Sequence, residues 1–365
     1  MAHFEFLTEE DRKQWLMRHD RSAHTCFATR SALRTVPRLA ASPANISRNA
    51  FLTVARAIIV AAVAAKRPSL DLKSFARSAT GAVYKLLNDE LNHFQYSVYS
   101  SEKAVGSVFE LDTVDGANSA ASAYATPSAV SKFDRYDAKK IEDEKDPAAV
   151  FDTFLWPRQE PSDTEEENLR RLKLYWQSEP DVWGFWEGWY VGFLKGVPVD
   201  WDVQQEVAQL SDEDWSEGPE RIAERIAEIE TRVGLENHIQ ELQKALIAEN
   251  GDRHGIGGNN PPEAIETFSE VSPELLIVWE PLTELQQQAQ SKQPNMSIIK
   301  GAINKLTTIA VGCGAWTWEK ANVFLDASLK TSGAAAGTAA IAFATGHGDK
   351  IIAVIKAAWE WMSFL

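Results

Sequence analysis

Four glycines at four-residue intervals and five tryptophans share one stretch of the chain, residues 172–210. A glycine inside a helix costs roughly 1 kcal/mol relative to alanine, so a helix that contains several needs a compensating gain. Glycines four residues apart lie on one helical face, where another backbone can approach closely while neighbouring rings bury large areas. We therefore predict that this stretch is the packing centre of the fold, and that its main residues are Trp183, Gly184, Trp186, Gly188, Trp189, Gly192 and Gly196.

The length and composition favour a protein with more than one core. The chain has 365 residues, of which 44% are hydrophobic, and this is enough for two or three domains.

Cys26 and Cys313 lie far apart in sequence and imply no disulfide framework. The N-terminal residues lack the apolar core of a signal peptide. Together these features predict a cytoplasmic location.

Charge is distributed unevenly along the chain. Residues 1–85 contain 14 Lys/Arg and 6 Asp/Glu, whereas the remainder contains 23 Lys/Arg and 46 Asp/Glu. Such a basic region can bind nucleic acid or an anionic membrane, or its helices can pack against the acidic middle of the chain. The scattered positions of the basic residues favour packing. Residues 132–146 predict a solvated, charged helix.

Arg30, Arg34 and Arg38 form a basic stripe on a predicted helix. As a nucleic-acid site the stripe is weak, because no aromatic side chains on which bases could stack lie between its cations. We therefore interpret the stripe as a solvated face or as a set of internal ion-pair partners. Nucleic acid is an unfavoured partner in this interpretation.

Apolar residues repeat at coiled-coil spacing beyond the tryptophan stretch. The register breaks near Gly234, and a seam of this kind needs a partner helix, which can come from the same chain or from a second copy. The residues of the seam are Ile222, Ile226, Ile229, Val233, Leu235, Ile239, Leu242 and Leu246.

A glycine-rich loop occupies residues 250–263 and ends in Asn-Asn-Pro-Pro-Glu. A loop of this composition before a helix could hold phosphate, but no Gly-Lys-Ser/Thr follows and no predicted strand precedes it. The loop fits a helix start better. Asn260 would be the N-cap, Pro261 the first helical residue and Glu263 the third residue of a capping box.

Three motifs lie within residues 183–263. They are Trp183-x-x-Trp-x-x-Trp-Tyr-x-x-Phe-Leu-x-Gly196, Asp212-Glu213-x-Trp215-x-x-Gly218-Pro219 and Gly257-Gly-Asn-Asn-Pro-Pro-Glu263. Together they resemble a group of uncharacterised bacterial proteins over residues 150–270. The resemblance implies a bacterial source and no particular activity.

The C-terminal residues predict a helical hairpin. Residues 333–345 are uncharged and mostly small, and residues 351–365 are apolar apart from Lys356 and Glu360. Each arm is shorter than the ~20 residues that span a bilayer. A packed hairpin or an oligomer contact is therefore favoured over a membrane-binding element formed by residues 333–365.

None of the catalytic motifs that we sought occurs, including the nucleophile elbow, the His-Glu-x-x-His helix, the Cys-x-x-Cys pair and the kinase motifs. The Glu-x-x-His step from Glu90 to His93 lacks the second step and the extra glutamates of a di-iron bundle. We predict no cofactor and no metal, and we favour a non-enzymatic protein. An active site assembled from distant helices stays open.

Recurring helix caps and weak strand alternation predict an all-α, multi-helix bundle. Its expected parts are an N-terminal helical domain (1–158), a Trp-rich centre with a coiled-coil-like arm (159–250), a loop with a short helix (251–272) and a C-terminal helical module (273–365). The predicted function is that of a bacterial interaction or assembly protein, which binds a protein partner or forms a homo-oligomer through helix–helix contacts. The alternatives are an effector whose C-terminal hairpin binds or perturbs membranes, and nucleic-acid contact by the basic N-terminal region.

Overall fold

The computed structural model describes residues 8–41, 47–89, 95–110, 113–124, 132–156, 162–254, 273–312, 314–315 and 345–365. Every regular element within these ranges is a helix, which confirms the predicted all-α class. The chain divides into two compact units, Met1–Ile226 and Ala227–Leu365. The division falls within one continuous helix.

Unit 1 is built around its second helix, which contacts four other helices of the unit. Short 3-10 helices occupy Val36–Ala40 and Pro147–Asp152. The α-helices that lie wholly in this unit are α1 (Glu9–Leu16), α2 (Arg21–Thr35), α3 (Arg48–Lys66), α4 (Lys73–Asp89), α5 (Gln95–Gly106), α6 (Thr113–Tyr124), α7 (Lys132–Asp143), α8 (Asp163–Ser178), α9 (Pro180–Lys195), α10 (Trp201–Ala208) and α11 (Asp212–Ser216). The next helix, α12 (Pro219–His254), continues into unit 2.

The sequence predicts helix starts at Thr8, Ser47, Asp146 and Ser211, because each is a favoured capping residue just before a helical pattern, and the structure confirms all four. Thr8, Ser47, Asp146 and Ser211 each accept a hydrogen bond from a backbone N–H in the first turn that follows. These bonds satisfy donors that a helix start leaves without an intrahelical partner. At Thr8 the capping box is complete, because the Asp11 carboxylate also accepts the Thr8 N–H at 2.9 Å.

Among the described residues, α3 is the one helix long and apolar enough to cross a membrane. Most of α3 is buried in the protein, where it packs against α2, α4, α5 and α10. A core helix of a folded unit passes the same test of length and composition as a membrane span. This burial agrees with the core helix that the sequence predicts for residues 51–65.

Unit 2 brings the second half of α12 together with α13 (Pro273–Ala289), α14 (Met296–Gly312) and α15 (Gly348–Met362). One apolar core joins them. Its residues on α12 are Leu235, Ile239, Leu242 and Leu246, all fully buried. The earlier seam residues Ile222, Ile226, Ile229 and Val233 are buried as well. Leu235–Leu246 of the seam therefore find partner helices within the chain.

Two helices of unit 2 differ in extent from the prediction. A proline within a helical pattern predicts an interruption or kink at Pro281, but α13 continues through it. The apolar pattern of residues 297–329 predicts one long helix, and α14 ends at Gly312. Gly314 has a φ of 74°, a left-handed conformation that glycine adopts readily and that ends a helix.

The observed division at Ile226 differs from the predicted boundaries near residues 158, 250 and 272. The Trp-rich helices belong to the same unit as the N-terminal helices, because α8 packs against residues 36–40 and α10 packs against α3. Asn260, Glu263, the step from Glu90 to His93 and the first arm of the C-terminal hairpin lie outside the described residues.

Candidate functional site

The Trp-rich centre is a buried aromatic cluster formed by α3, α8 and α9. Phe51 of α3 packs edge-on against Trp176 and Trp183, with ring centroids 5.6 and 5.4 Å apart. Trp186 and Trp189 pack edge to face at 5.5 Å. All four tryptophans are buried. Pairs of this geometry contribute roughly 0.5–1.5 kcal/mol each beyond their buried area, so the cluster has the packing role that the sequence predicts.

Polar atoms at the edge of this cluster bind neighbouring helices. Trp189 Nε1 donates to Gln204 Oε1 at 3.0 Å, and Gln204 Nε2 donates to the Val199 carbonyl at 2.7 Å. The Tyr190 hydroxyl donates to the Leu33 carbonyl of α2 at 3.2 Å. These bonds fix α9 against α10 and α2, which indicates a structural role for Trp189 and Tyr190.

Gly192 and Gly196 permit close backbone approach at the end of α9. A Cβ atom on Gly192 would lie 2.7 Å from the Val197 carbonyl oxygen. A Cβ atom on Gly196 would lie 2.6 Å from the Thr153 carbonyl carbon. Gly196 also has a φ of 68°, which ends α9 in a left-handed cap. These two glycines behave as the sequence predicts.

The predicted close-packed ridge is wrong at Gly184 and Gly188. Both are exposed, and no described atom lies within 4 Å of a Cβ built at either position. The reason is that α9 turns its tryptophans inward at Trp183 and Trp186, and the residues next to them point away from the core. Four-residue spacing placed all four glycines near one another but did not determine which of them meet another backbone.

A buried ion pair links α2 to α7. Arg30 and Arg34 share the carboxylate of Asp137, and all three side chains are fully buried. Arg34 Nη2 and Arg30 Nη2 donate to Asp137 Oδ1 at 2.8 and 3.1 Å. Burial opposes ionisation of Asp137, but the two guanidinium groups outweigh it and lower its pKa. Arg30 and Arg34 of the basic stripe are thus internal, whereas Arg38 is half-buried and pairs with Glu165. The prediction that residues 132–146 form a solvated helix is wrong for this face of α7.

The same two arginines hold three successive carbonyl groups of residues 153–155. Arg30 Nη1 and Nη2 donate to the carbonyl oxygens of Thr153 and Phe154 at 3.0 and 2.8 Å. Arg34 Nε donates to the Leu155 carbonyl at 3.1 Å. These residues belong to no helix, so the hydrogen bonds from α2 fix their position.

Phe154 and Val197 are the exposed apolar residues of this part of unit 1, with 61% and 72% of their surface accessible. The two segments that carry them are in contact, because the Leu155 N–H donates to the Leu194 carbonyl at 3.4 Å. We call these two side chains the Phe154–Val197 surface. It consists of apolar groups on a backbone that buried arginines hold in place.

A second buried pair joins α1 to α7. Arg12 Nη1 donates to Asp134 Oδ2 at 2.8 Å, and other Arg12 nitrogens donate to Asn118 and Ser122 of α6. Burial raises the pKa of Asp134 to about 6, although the neighbouring Arg12 favours the ionised form. The pKa of Asp134 is therefore raised and that of Asp137 is lowered, although both carboxyl groups are buried, because two arginines lie close to Asp137.

Five basic side chains within residues 38–67 form ion pairs with the acidic middle of the chain. Exposed and half-buried ion pairs of this kind contribute little to stability individually. Their number agrees with the interpretation that the basic N-terminal helices pack against acidic segments. The pairs are Arg38–Glu165, Arg48–Glu179, Arg48–Glu220, Arg56–Asp212, Lys66–Asp152 and Arg67–Asp202.

Two side chains with catalytic potential lie in α2 and are held structurally. His24 has its ring nitrogens 2.7 Å from Thr113 Oγ1 and 2.6 Å from the Leu16 carbonyl, and burial lowers its pKa. Cys26 is fully buried, which raises the pKa of its thiol and disfavours the reactive thiolate. In the described parts of the chain, no group of three His, Cys, Asp or Glu side chains could hold a metal ion.

A cleft of about 610 Å³ lies where the starts of α2 and α4 meet. Arg21, Lys73 and Asp71 contribute charges of both signs to its lining. The Arg21 guanidinium also donates to the carbonyls of Val108 and Glu110 at 3.1 and 2.9 Å. The cleft can accept a small polar ligand, but its mixed charges select no particular one.

Sequence patterns did not identify Asp134 and Asp137 as members of buried ion pairs, or Phe154 as part of an exposed surface. The two carboxylates could have been identified from their spacing. Asp134 and Asp137 are three residues apart and share a face of one helix, just as Arg30 and Arg34 share a face of α2. No comparable signal marked Phe154, because its exposure depends on contacts with α2 and α9.

Comparisons of the chain with protein-family models, with curated proteins and with solved structures found no match. The resemblance carried by the motifs of residues 183–263 therefore stays a prediction.

Proposed function

We propose that this protein is a non-enzymatic, bacterial interaction or assembly protein that binds a protein partner, a second copy in its simplest form. The observation that supports the proposal is the Phe154–Val197 surface beside the C-terminal end of α9. Val197 lies just beyond the end of α9, and we expect a helix of the partner to cover both side chains.

Because Phe154 and Val197 are exposed, the fold does not gain the stabilisation that burial of these side chains would provide. Full burial of a phenylalanine or a valine is worth roughly 1.5–3 kcal/mol. Aromatic anchors in the centre of an interface contribute much of the binding energy, and a backbone that is already rigid loses less entropy on binding. The hydrogen bonds from Arg30 and Arg34 to residues 153–155 supply this rigidity.

The proposal is tested by the mass of the protein in solution. We expect light scattering after size exclusion to give a mass above the 40.6 kDa of one chain, increasing with concentration. Phe154→Asp and Val197→Asp should each return the mass to that of one chain without changing the melting temperature, since both residues are exposed. Leu174→Asp is the matched control, because Leu174 on α8 is 54% exposed and lies outside this surface.

Two results would count against self-association through this surface. The first is a wild-type mass equal to one chain at every concentration. The second is an oligomer that both aspartate variants leave intact.

The alternative of a membrane-active C-terminal hairpin has less support. Ile351, Ile355 and Trp361 of α15 are fully buried in the core of unit 2, and Trp361 Nε1 donates to Glu228 at 3.1 Å. An arm that inserts in a membrane would have to give up these contacts. The packing of α15 therefore favours a structural role for the second arm.

A further inference from the structure

The exposed side of α4 carries cations and an aromatic ring in one line. Lys73, Arg77 and Tyr84 are exposed and follow one another at spacings of four and seven residues, which place them on one helical stripe. Lys85 is exposed beside Tyr84. From Lys73 to Tyr84 the stripe is about 16 Å long at 1.5 Å per residue.

A second stripe lies on α5. Tyr96, Tyr99 and Lys103 follow one another at spacings of three and four residues, so they also share a face. Tyr96 and Tyr99 are 61% and 40% exposed, and Tyr84 of α4 is 47% exposed. Lys103 Nζ lies 5.4 Å from the ring centroid of Tyr99.

The two stripes lie side by side. The Arg77 guanidinium is 5.6 Å from the ring centroid of Phe109, just beyond the end of α5. Helix α4 packs directly against α5, and the Tyr84 hydroxyl interacts with the Glu102 carboxylate of α5. We call this combined surface the α4–α5 face.

The cations of this face differ from the other basic residues of the N-terminal region. Among the described residues, no carboxylate forms an ion pair with Lys73, Arg77 or Lys85. Lys103 is paired with Glu102 at 3.1 Å, and Glu102 is almost fully buried. The α4–α5 face therefore carries three cations that form no ion pair within the described residues, on a chain whose net charge is −15, and the Glu102 and Glu110 carboxylates lie near Tyr84.

We propose that the α4–α5 face binds single-stranded nucleic acid. Cations that are free of ion pairs attract backbone phosphates, and exposed rings beside them provide surfaces on which unpaired bases stack. Two of the three cations that form no ion pair within the described residues are lysines, which protein–protein interfaces deplete and phosphate contacts use. This composition favours a nucleic acid over an acidic protein as the occupant.

The proposal involves different residues from those that the sequence analysis considered. Arg30 and Arg34 are committed to Asp137 inside the protein and cannot contact phosphate. Aromatic rings, which are missing between Arg30 and Arg34, are present on the α4–α5 face: Phe109 lies near Arg77, Tyr99 lies near Lys103, and Tyr84 adjoins Lys85 in the chain. The inference rests on α4 and α5 alone and is independent of the Phe154–Val197 surface.

Fluorescence anisotropy of labelled oligothymidylate and oligouridylate, titrated with the full chain over a series of salt concentrations, tests the proposal. We expect micromolar binding that weakens with salt. Lys85→Glu should weaken binding and reduce the salt dependence by about one phosphate contact. Tyr84→Ala and Tyr99→Ala should each weaken binding about tenfold with little change in salt dependence, whereas Tyr84→Phe should retain it.

Lys195→Glu is the matched control for net charge, because Lys195 is exposed at the end of α9 and belongs to neither α4 nor α5. It should leave binding unchanged, and circular dichroism melts should show every variant folded. Binding of either oligonucleotide supports the proposal, and the tighter of the two distinguishes DNA from RNA.

Three results would overturn the proposal. The first is no binding of either oligonucleotide at low salt. The second is equal affinity for a duplex together with unchanged binding by Tyr84→Ala. The third is equally effective competition by polyglutamate, which would assign the face to an acidic protein.

Discussion

Replacement of Asp137 by asparagine should be among the most destabilising polar substitutions in unit 1. The substitution removes the one carboxylate that Arg30 and Arg34 share, and it leaves two charged guanidinium groups fully buried. Loss of one partner from a buried ion pair typically costs about 3–5 kcal/mol, because the remaining charge is neither solvated nor paired. The arginines keep their bonds to the carbonyls of residues 153–155, which limits the loss to this range.

Asp134→Asn provides the matched comparison on the same helix. Arg12 would keep its bonds to the Asn118 side chain, the Asn118 carbonyl and Ser122 after this change. Burial already opposes ionisation of Asp134, so an uncharged amide loses less than it does at Asp137. We expect a cost of about 1–2 kcal/mol.

The two variants should also differ in their dependence on pH. The pKa of Asp134 is raised to about 6 in the folded protein, so the wild type binds a proton on folding and is stabilised as pH falls towards the ordinary Asp range. The cost of Asp134→Asn should therefore be larger near about pH 5 than near about pH 7.5. The pKa of Asp137 is lowered, so its contribution stays constant above the ordinary Asp range and is lost only at more acidic pH.

Thermal and urea unfolding measure both effects. Eight of the 13 tryptophans lie in unit 1, so tryptophan fluorescence reports mainly on that unit. For a unit of this size, about 1 kcal/mol corresponds to roughly 2–4 °C in melting temperature. Asp137→Asn should therefore lower it by about 6–20 °C. Equal losses for the two variants, or a loss below about 1 kcal/mol for Asp137→Asn, would refute the reasoning.

Two further comparisons test the glycines of α9 and the apolar seam of α12. Gly188→Ala should stabilise the protein by up to about 1 kcal/mol, because Gly188 is helical and exposed. Gly196→Ala should instead destabilise the protein by at least about 1–3 kcal/mol, because φ of Gly196 is 68° and the Thr153 backbone occupies the space that the new methyl group would need. Opposite signs of the shift in urea midpoint are expected, and equal shifts would contradict the assignment. Leu242→Ala should cost about 2–5 kcal/mol because Leu242 is fully buried in unit 2, while Ile247→Ala, 42% exposed on the same helix, should cost much less in the same urea titration.

The all-α class and much of the core can be predicted from local sequence patterns. Caps such as Thr8 and Ser47 satisfy helix donors through side chains within the next few residues, so their effect is local and readable. The seam on α12 is equally readable, because the spacing of Ile239 and Leu242 determines which helical face is apolar. The burial of the tryptophans follows from their size and apolarity.

The partner that each buried face contacts cannot be predicted from these local patterns, because it lies on a distant segment of the chain. Arg30 and Asp137 are separated by 107 residues, and the periodicity of α2 or α7 alone cannot show that they share one buried site. The same limit explains the glycines of α9: their spacing is regular, but only Gly192 and Gly196 meet another backbone. Phe154 is exposed because buried arginines fix its carbonyl from within, and such an arrangement depends on contacts between distant segments.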